Sequence, residues 1–343
     1  MIQIDGSIGE GGGQILRTSI AMSAITQTPV RIFNIRAKRR NPGLRAQHLH
    51  AIKSVKNLCN ARVINARIGS TEIEFIPNEI SGGRFNIDVG TAGSVTLVLQ
   101  ALMLPALVAK DSTIIKIRGG TDVKWSPPID YLRFVTLPIL RKFGYNAEIE
   151  LIRRGYYPAG GGMVRIEIEP SSLERIELMD KGKILCIGGI SHAHLSLKNS
   201  DVAKRLAMSA RSTIYDNINY NIDFIGNIRI SEEYINSDSV GAGITLWAET
   251  ENSRIGSSSI GEKGKRAETV GREAGEFLSN EIKSDSGIDR FMGDQIVPYI
   301  ALAGGRVRVS KITKHAETNI EIIKKFGFDI NLEGNIIESK GFC

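Results

Sequence analysis

Apolar and polar positions along this chain of 343 residues follow a pattern that occurs three times. Each copy has a glycine-bearing or small-residue turn, an apolar segment of helical length, and a short β-branched run typical of a strand. The predicted helices cover residues 14–25, 94–109 and 295–303, and the predicted strands cover 30–35, 113–117 and 306–309. The pattern predicts three units of similar structure.

A second pattern follows within each copy, an amphipathic helix and then a strand. Residues 137–145 (LPILRKFGY) and 320–328 (IEIIKKFGF) both have a basic last turn closed by glycine. Alternating strands follow at 146–151 and 329–332, and residues 46–63 have the same outline. Together the two patterns predict repeated βαβ-type units.

The spacing of the copies predicts an insertion. The first two copies are about 80 residues apart and the last two about 200, so roughly 100 residues interrupt the third unit. We assign them to 184–283, with predicted strands at 184–190 and 243–249 and predicted helices at 201–214 and 266–282. The expected fold is α+β, with repeats one and two in 1–183, an inserted α/β subdomain in 184–283, and the third repeat in 284–343.

Composition is that of a globular protein, since 42% of residues are hydrophobic and 24% charged, which argues against disorder. A net charge of +7 mildly favours a polyanionic partner. Cys59, Cys186 and Cys343 lie far apart without metal-ligand spacing, as in a reduced intracellular protein. The most apolar run, 96–109, is too short to span a bilayer, and the N-terminus lacks a secretory pattern. We expect a cytoplasmic protein with no membrane contact.

A glycine-rich stretch, residues 5–17 (DGSIGEGGGQILR), opens the first predicted helix. Free N–H groups and the positive end of a helix dipole suit a phosphate. The stretch matches neither the Walker A nor the Rossmann spacing. Gln14 and Arg17 lie three positions apart on one helical face, so both can reach one site. The alternative is an ordinary turn in which Glu10 only complements the dipole.

A basic cluster follows, formed by Arg36, Lys38, Arg39, Arg40 and Arg45 around an Asn-Pro-Gly turn. Arginine forks match phosphate oxygens, and such a turn can present several of them together. A solvated charged loop is the alternative. Aromatic residues are sparse in this segment, so it does not indicate base stacking.

His315 falls in the first turn of the last repeated helix. A helix N-terminus disfavours the cation, which keeps the imidazole neutral and nucleophilic, and the same N–H groups can hold a phosphate under attack. An isolated histidine in such a place is more often a surface or capping residue.

The other histidines are weaker candidates. His192 and His194 alternate on a predicted strand, as metal ligands do, but no third ligand is evident, which favours a structural or surface role. His48 and His50 are predicted on a helix face near the basic cluster. Asp294 is a candidate helix N-cap with Gln295 as the first helical residue, and Gln100 is a polar residue within an apolar helix.

Residues 154–164 (RGYYPAGGGMV) contain three consecutive glycines after a proline. Such a backbone turns sharply or allows close approach of a ligand or a second backbone. The segment precedes a predicted strand, 165–168, instead of opening a helix, so no helix dipole supports phosphate binding. We interpret it as a close-approach turn in the second repeat.

Taken together and in order, these segments resemble the RNA 3'-terminal phosphate cyclase family over essentially the whole chain. The matching segments are 10–17, 36–43, 45–49, 90–100, 119–122, 154–164, 294–295 and 315–320. The resemblance implies three repeats like the C-terminal domain of a bacterial translation initiation factor, plus a thioredoxin-like insert.

The resemblance also implies the chemistry. His315 would attack the α-phosphorus of ATP, releasing pyrophosphate and forming an adenylyl-histidine. An RNA 3'-terminal phosphate would then take the AMP, and the neighbouring 2'-hydroxyl would displace it, leaving a 2',3'-cyclic phosphate. Positioning and charge neutralisation dominate such transfers.

By the same resemblance, Glu10 would help to hold a divalent metal such as Mg²⁺, and Arg17, Arg36 and Arg39 would bind substrate phosphates. Residues implied for the ATP pocket are Gln14, Gln100, Phe291, Met292, Gly293, Asp294 and Gln295. One departure concerns residues 257–259, three serines where a family member carries aromatic residues able to stack on adenine. Adenine stacking by the insert is therefore not expected, and nucleotide selectivity stays open.

Three other interpretations stay open. A non-catalytic cyclase-like ribosome-assembly factor would lack the nucleophile, so His315 argues against it. A transferase acting on a small phosphorylated metabolite is the second, since similar repeats build enolpyruvyl transferases, and an RNA-binding protein without turnover is the third. The sequence does not identify the RNA targets, the acceptance of DNA ends, the arginine that holds each phosphate, or the oligomeric state, for which a homodimer is one option.

Overall fold

The computed structural model of the chain describes residues 1–218 and 227–342. Within these residues the architecture is mixed α+β, with four four-stranded sheets and helices packed against them. The predicted fold class is confirmed at this level.

The first unit forms one sheet whose strand order is first, second, fourth, third. Its elements are β1 (Ile2–Asp5), α1 (Gly13–Thr26), β2 (Val30–Phe33), α2 (Ala46–Leu58), β3 (Arg62–Ile64) and β4 (Ile73–Ile76). The strands β1 and β2 pair in parallel, while β4 is antiparallel to both β2 and β3. The buried positions of α2 recur at helical spacing, whereas α1 is buried over most of its length.

The second unit has the same strand order and the same parallel and antiparallel pairings. Its elements are β5 (Gly83–Asp88), α3 (Val95–Ala106), β6 (Thr113–Gly119), α4 (Ile129–Tyr131), α5 (Leu137–Arg141), β7 (Ala147–Arg153) and β8 (Gly162–Ile168). A π-helical turn, Leu132–Thr136, joins α4 to α5, and the N–H of Leu137 donates five residues back, to Leu132 O. Pro138 has no N–H to continue the regular ladder, which accounts for this irregular helix.

The inserted segment forms a fourth sheet, between the first strand of the third unit, β9 (Ile176–Leu178), and the rest of that unit. Its elements are β10 (Ile184–His194), α6 (Val202–Ile218), β11 (Ile228–Ile235), β12 (Ala242–Thr250), β13 (Arg254–Ile260) and α7 (Ala267–Lys283). The sheet order is β11-β10-β12-β13, and α6 and α7 pack on it. Its likeness to thioredoxin stays a prediction.

The third unit continues with α8 (Arg290–Ala303), β14 (Gly305–Arg308), α9 (Lys314–Lys325), β15 (Ile330–Glu333) and β16 (Ile336–Ser339). The strand β9 pairs in parallel with β14, and the sheet order β9-β14-β16-β15 repeats that of the other two units. Three units thus share one topology, as the repeated pattern indicates. Their likeness to the translation factor domain stays a prediction.

Two hydrophobic cores organise these sheets. One draws its buried residues from 4–178 and 288–337, and the other from 187–282. Trp247 of β12 stacks on Phe134 at a ring-centroid distance of 4.4 Å, which joins the insert to the second unit. The domain boundaries at 183/184 and 283/284 stay predictions.

The prediction for the start of the third unit's helix was wrong by five residues. Asp289 is the N-cap of α8, and its Oδ1 accepts from the N–H groups of Phe291 and Met292, both at 2.9 Å. Asp294 therefore lies inside the helix and is not its cap. Gly293 lies inside the helix as well, and the position is close-packed, because a Cβ there would come within 2.4 Å of Val309 Cγ1.

Of the three cysteines, Cys59 is buried and Cys186 exposed, and both are free thiols. Cys343 lies outside the described residues. No helix in the described part of the chain is both long and apolar enough to cross a membrane.

Candidate active site

A cavity of about 1240 Å³ lies where the three units and the insert meet. Helices α1, α3, α8 and α9 contribute to its walls, together with the basic cluster, the loop after β6 and strand β13. The predicted site residues that line it are Glu10, Gln14, Arg17, Arg36, Arg39, Gln100, Phe291, Asp294, Gln295 and His315. Residues remote in sequence thus share one site.

His315 lies in the first turn of α9, as its position in the sequence predicts. Thr313 caps this helix, because its Oγ1 accepts from the N–H groups of His315 and Ala316, both at 3.1 Å. The Thr313 hydroxyl in turn donates to Asp294. His315 Nε2 lies 3.3 Å from Glu10 Oε2, so the ring and the predicted metal-binding carboxylate are neighbours.

The surroundings of His315 keep its imidazole neutral. Partial burial lowers its pKa, the nearby Glu10 opposes this effect, and the charges of Arg17 and Arg39 lower it further. The net result is a pKa below the usual range of histidine. A neutral ring retains the lone pair that a nucleophile needs at neutral pH.

The glycine-rich stretch brings the start of α1 into the cavity. Gly12 is the N-cap, and no side chain caps this helix. The first-turn N–H groups are therefore available to a ligand. Gln14 Nε2 donates to the backbone oxygen of His315 at 3.0 Å, which ties α1 to α9. Gly13 has to be glycine, because a Cβ would lie 2.1 Å from Nε2 of the buried His48.

The basic cluster supplies part of the cavity's charge. Arg36, Arg39 and Arg45 line the wall, whereas Lys38 and Arg40 do not. Arg39 Nη2 is 3.8 Å from Glu10 Oε2. Arg36 Nη1 donates to the backbone oxygens of residues 41 and 43 at 2.7 and 2.9 Å, so it also holds the loop that carries the cluster.

Arg17 is half-buried in the wall of the cavity and has no ion-pair partner among residues 1–218 and 227–342. Burial lowers its pKa to about 10, so it stays charged at neutral pH. A half-buried cation without a counter-charge attracts an anion, and phosphate fits its planar fork. Burial also lowers the pKa of His48 to about 3, helped by Arg17 and Arg36, so His48 adds no charge.

An amide and aromatic corner lies at the α3 and α8 side of the cavity. Gln100 Nε2 donates to Gln295 Oε1 at 3.1 Å, and Thr136 Oγ1 donates to the same oxygen at 3.2 Å. Phe291 is 39% exposed, and its ring packs edge to face against the buried Tyr131, with 6.5 Å between the ring centroids. Half-buried amide groups beside an exposed ring suit a planar heterocycle such as a nucleobase.

The remaining residues implied for the ATP pocket differ in position. Asp294 lines the cavity, and burial raises its pKa to about 7, with Asp289 and Glu10 adding to the effect. Met292 is completely buried in the core, and Gly293 packs on Val309. Neither of these two lines the cavity.

The insert contributes the wall opposite α1. Ser258 and Ser259 line the cavity, while Ser257 is buried and donates to Ala274 O at 2.6 Å. Glu262 after β13 pairs with Lys124 Nζ at 2.5 Å. Apart from Ile260, the insert residues in this wall are polar or charged.

Sequence reasoning missed Lys124 and Trp125, which line the cavity from the loop after β6. Trp125 is 95% exposed and has a φ of +60°. The signal that could have found them is a tryptophan beside a lysine in a Ser-Pro-Pro turn, because such a turn presents its side chains outward.

Metal ligands are few in the described residues, where no group of three or more His, Cys, Asp or Glu side chains is placed to hold an ion. Glu10 is the carboxylate beside His315 and Arg39, while Asp294 and Glu262 line other parts of the cavity. One carboxylate fits Mg²⁺, which is often bound by one or two carboxylates together with substrate phosphates.

Residues 154–164 lie outside the cavity and build a joint between the second unit and the insert. Glycine is needed here, because a Cβ on Gly160 would lie 2.6 Å from Thr91 O. Arg154 is buried among carboxylates, and Tyr156 OH is hydrogen-bonded to His192 Nδ1 at 2.7 Å. His192 Nε2 in turn lies 3.3 Å from Asp122 Oδ1. These contacts agree with the structural role favoured for His192.

Comparison with known proteins places the chain in a family. The family model described as RNA 3'-terminal phosphate cyclase matches residues 8–332. A protein of that name from Pyrococcus furiosus is 50% identical over 99% of this chain and 96% of its own length. Proteins of the same name from Ignicoccus hospitalis and Archaeoglobus fulgidus are each 45% identical, over 100% and 98% of this chain and 99% of their own length. The chain belongs to the RNA 3'-terminal phosphate cyclase family.

Proposed function

We propose that this protein uses ATP to convert a 3'-terminal phosphate of RNA into a 2',3'-cyclic phosphodiester. The observation that carries the proposal is the setting of His315, a neutral imidazole beside Glu10 at the start of a capped helix. Family membership supports the choice of RNA as the substrate.

In the first step a ring nitrogen of His315 attacks the α-phosphorus of ATP. A P–N bond forms, and the P–O bond to pyrophosphate breaks with its electron pair. Arg17 and Arg39, which lower the pKa of His315 by their charge, neutralise the phosphates. The protein supplies position and charge, and such transfers need little more.

In the second step an oxygen of the RNA 3'-phosphate attacks the adenylyl phosphorus, and His315 recovers its lone pair. In the third step the 2'-hydroxyl attacks the activated 3'-phosphorus, AMP leaves with the electron pair, and the hydroxyl proton passes to solvent. Activation is required because a phosphate dianion has no good leaving group. Two phosphate positions are needed, and the cavity offers the α1 N-terminus with Arg17 and the basic cluster with Arg36.

The other side chains take supporting roles. Glu10 would hold a divalent metal, which would neutralise phosphate charge when bound. Gln100, Phe291 and Gln295 would receive the adenosine of ATP, since they form the amide and aromatic corner. Gln14 holds His315 by its backbone.

Incubation with α-labelled ATP and Mg²⁺ tests the first step. The wild-type protein should give an acid-labile, alkali-stable protein–AMP adduct, and His315→Ala should give none. His50→Ala is the matched control, because His50 lies on α2 outside the cavity and its replacement should leave the adduct unchanged. Absence of label in the wild-type protein, or equal labelling of His315→Ala, contradicts the mechanism.

An oligoribonucleotide with a 3'-phosphate tests the later steps. Its end should become resistant to phosphatase, and AMP should be released in equal amount. If the protein takes up label but leaves the RNA end unchanged, the acceptor is another phosphate, as expected for a transferase that acts on a small metabolite.

A further inference from the structure

The loop between β6 and α4 presents a tryptophan at the cavity. Trp125 is 95% exposed, more than any other large apolar side chain in the described residues, and it lines the same cavity as His315. Its φ of +60° is a left-handed conformation that is unfavourable for a bulky residue. A strained backbone that holds an apolar ring in water points to a functional role.

The loop around Trp125 is held firmly. Thr96 Oγ1 donates to Pro127 O at 2.7 Å, and Ser126 Oγ donates to Val123 O at 2.9 Å. At the base of the loop Asp122 is buried against Arg154 and His192. A ring on such a loop is positioned before any ligand arrives, which reduces the entropy lost on binding.

The charges beside the ring indicate what it binds. Lys124 Nζ, which also pairs with Glu262, lies 6.0 Å from the Trp125 ring centroid, and Arg36, Arg39 and Arg45 line the same cavity. A flat aromatic ring in the same cavity as several arginines is an arrangement that can bind single-stranded nucleic acid, where bases stack on the ring and the cations contact the backbone. The amide and aromatic corner at Phe291 already offers a place for the adenosine of ATP.

We propose that Trp125 stacks on a base at the 3' end of the RNA strand and positions the terminal phosphate toward His315. This inference rests on the proposed function, and it assigns the strand to the side of the cavity formed by the loop after β6. Trp125 is thus a binding residue for the RNA and takes no part in bond making.

Intrinsic fluorescence tests the stacking directly. The chain has two tryptophans, and Trp247 is the one stacked on Phe134, so Trp247→Phe leaves Trp125 as the only indole. A 3'-phosphorylated oligoribonucleotide added without ATP should quench this fluorescence with saturation. The same strand made abasic at its last two positions should quench it much less.

Kinetics with the same strand give a second measurement. Trp125→Ala should raise the KM for RNA roughly tenfold or more, while Trp125→Phe should stay within about threefold, since stacking tolerates another ring. The rise should fall on KM and not on kcat. Tyr215→Ala, which removes an exposed aromatic ring on α6 outside the cavity, should change neither constant.

The outcomes separate the two proposals. If the wild-type protein cyclises no RNA, the proposed function fails. Quenching of the Trp125 fluorescence by the intact strand then still supports contact between Trp125 and RNA, and absence of quenching overturns it. If the wild-type protein cyclises RNA while Trp125→Ala keeps the wild-type KM and RNA leaves the fluorescence unchanged, the stacking inference is overturned. Equal quenching by the abasic and intact strands also overturns it.

Discussion

Replacement of Arg154 by alanine should destabilise the protein far more than the same replacement of its neighbour Arg153. Arg154 Nη2 lies 2.6 Å from Asp130 Oδ2 and 3.0 Å from Glu233 Oε2, and Nη1 lies 3.4 Å from Asp122 Oδ2. The side chains of both aspartates are completely buried. Without the guanidinium, two carboxylates are left in the interior with too little positive charge.

The structure sets the expected magnitude. Removing one partner of a buried ion pair costs about 3–5 kcal/mol, because the remaining charge stays buried. In Arg154→Ala, Arg133 can still pair with Asp130, at 2.8 Å in the wild-type structure, and His192 can still contact Asp122. We therefore expect the free energy of unfolding to fall by about 3 kcal/mol, near the lower end of that range. Arg153 pairs with Asp238 at the surface and is 41% exposed, so its loss should cost about 0–1 kcal/mol.

Urea unfolding followed by circular dichroism, with the wild-type protein and both variants at pH 7, measures these free energies. Burial alone would raise the pKa of Asp122. The charges of His192 and Arg154 lower it by more than burial raises it, so the net pKa is below the usual range of aspartate. The stabilisation is therefore present above the unfolded pKa of about 4 and lost as pH falls. The difference in the free energy of unfolding between the wild-type protein and Arg154→Ala should therefore become smaller in acid. Equal losses for Arg153→Ala and Arg154→Ala would refute the reasoning.

Two further predictions concern the cavity. Burial raises the pKa of Asp294 to about 7, whereas in the unfolded chain it is about 4. Between these two pH values the folded protein holds a proton that the unfolded chain has released, so this carboxyl group destabilises the fold as the pH rises. Asp294→Asn should thus be more stable than wild type at pH 8, by a few kcal/mol at most, with equal urea midpoints near pH 4. Thr313→Ala removes the cap of α9 and should lower stability by about 1 kcal/mol and reduce AMP labelling, and Thr313→Ser should restore both. Unchanged labelling in Thr313→Ala would show that the cap does not position His315.

Local patterns predicted most of the helices and strands. Helix α1 lies within one residue of its predicted segment, and α9 extends its amphipathic segment back to Lys314, while α3 ends three residues before the predicted boundary at 109. Helices α1 and α3 were recognisable as apolar segments of helical length, and α9 by its amphipathic spacing. The start of α8 was missed since Gly293 reads as a turn residue. Its actual cause is tertiary, the contact with Val309, and the true cap at Asp289 lies one turn earlier.

The contacts within the site were harder to predict from local sequence than the helices and strands. The approach of Glu10 to His315 joins the first and third units, and no spacing rule relates residues so distant. Their shared role came from the family resemblance. The joint at Arg154 also depends on how the insert packs, because Glu233 belongs to β11 and His192 to β10. Non-local contacts of this kind leave no periodic trace in the sequence.

The glycine-rich segment at 154–164 lies outside the cavity but contacts the start of the loop that carries Trp125. Arg154 holds Asp122, which begins the loop that carries Lys124 and Trp125, and it also holds Glu233 of the insert. Lys124 then pairs with Glu262, next to the serine wall of the insert. One buried cation therefore contacts both the start of the Trp125 loop and a strand of the insert. None of the residues 154–164 lines the cavity, and the segment instead combines a buried arginine that pairs with the insert with glycines that permit close backbone contact.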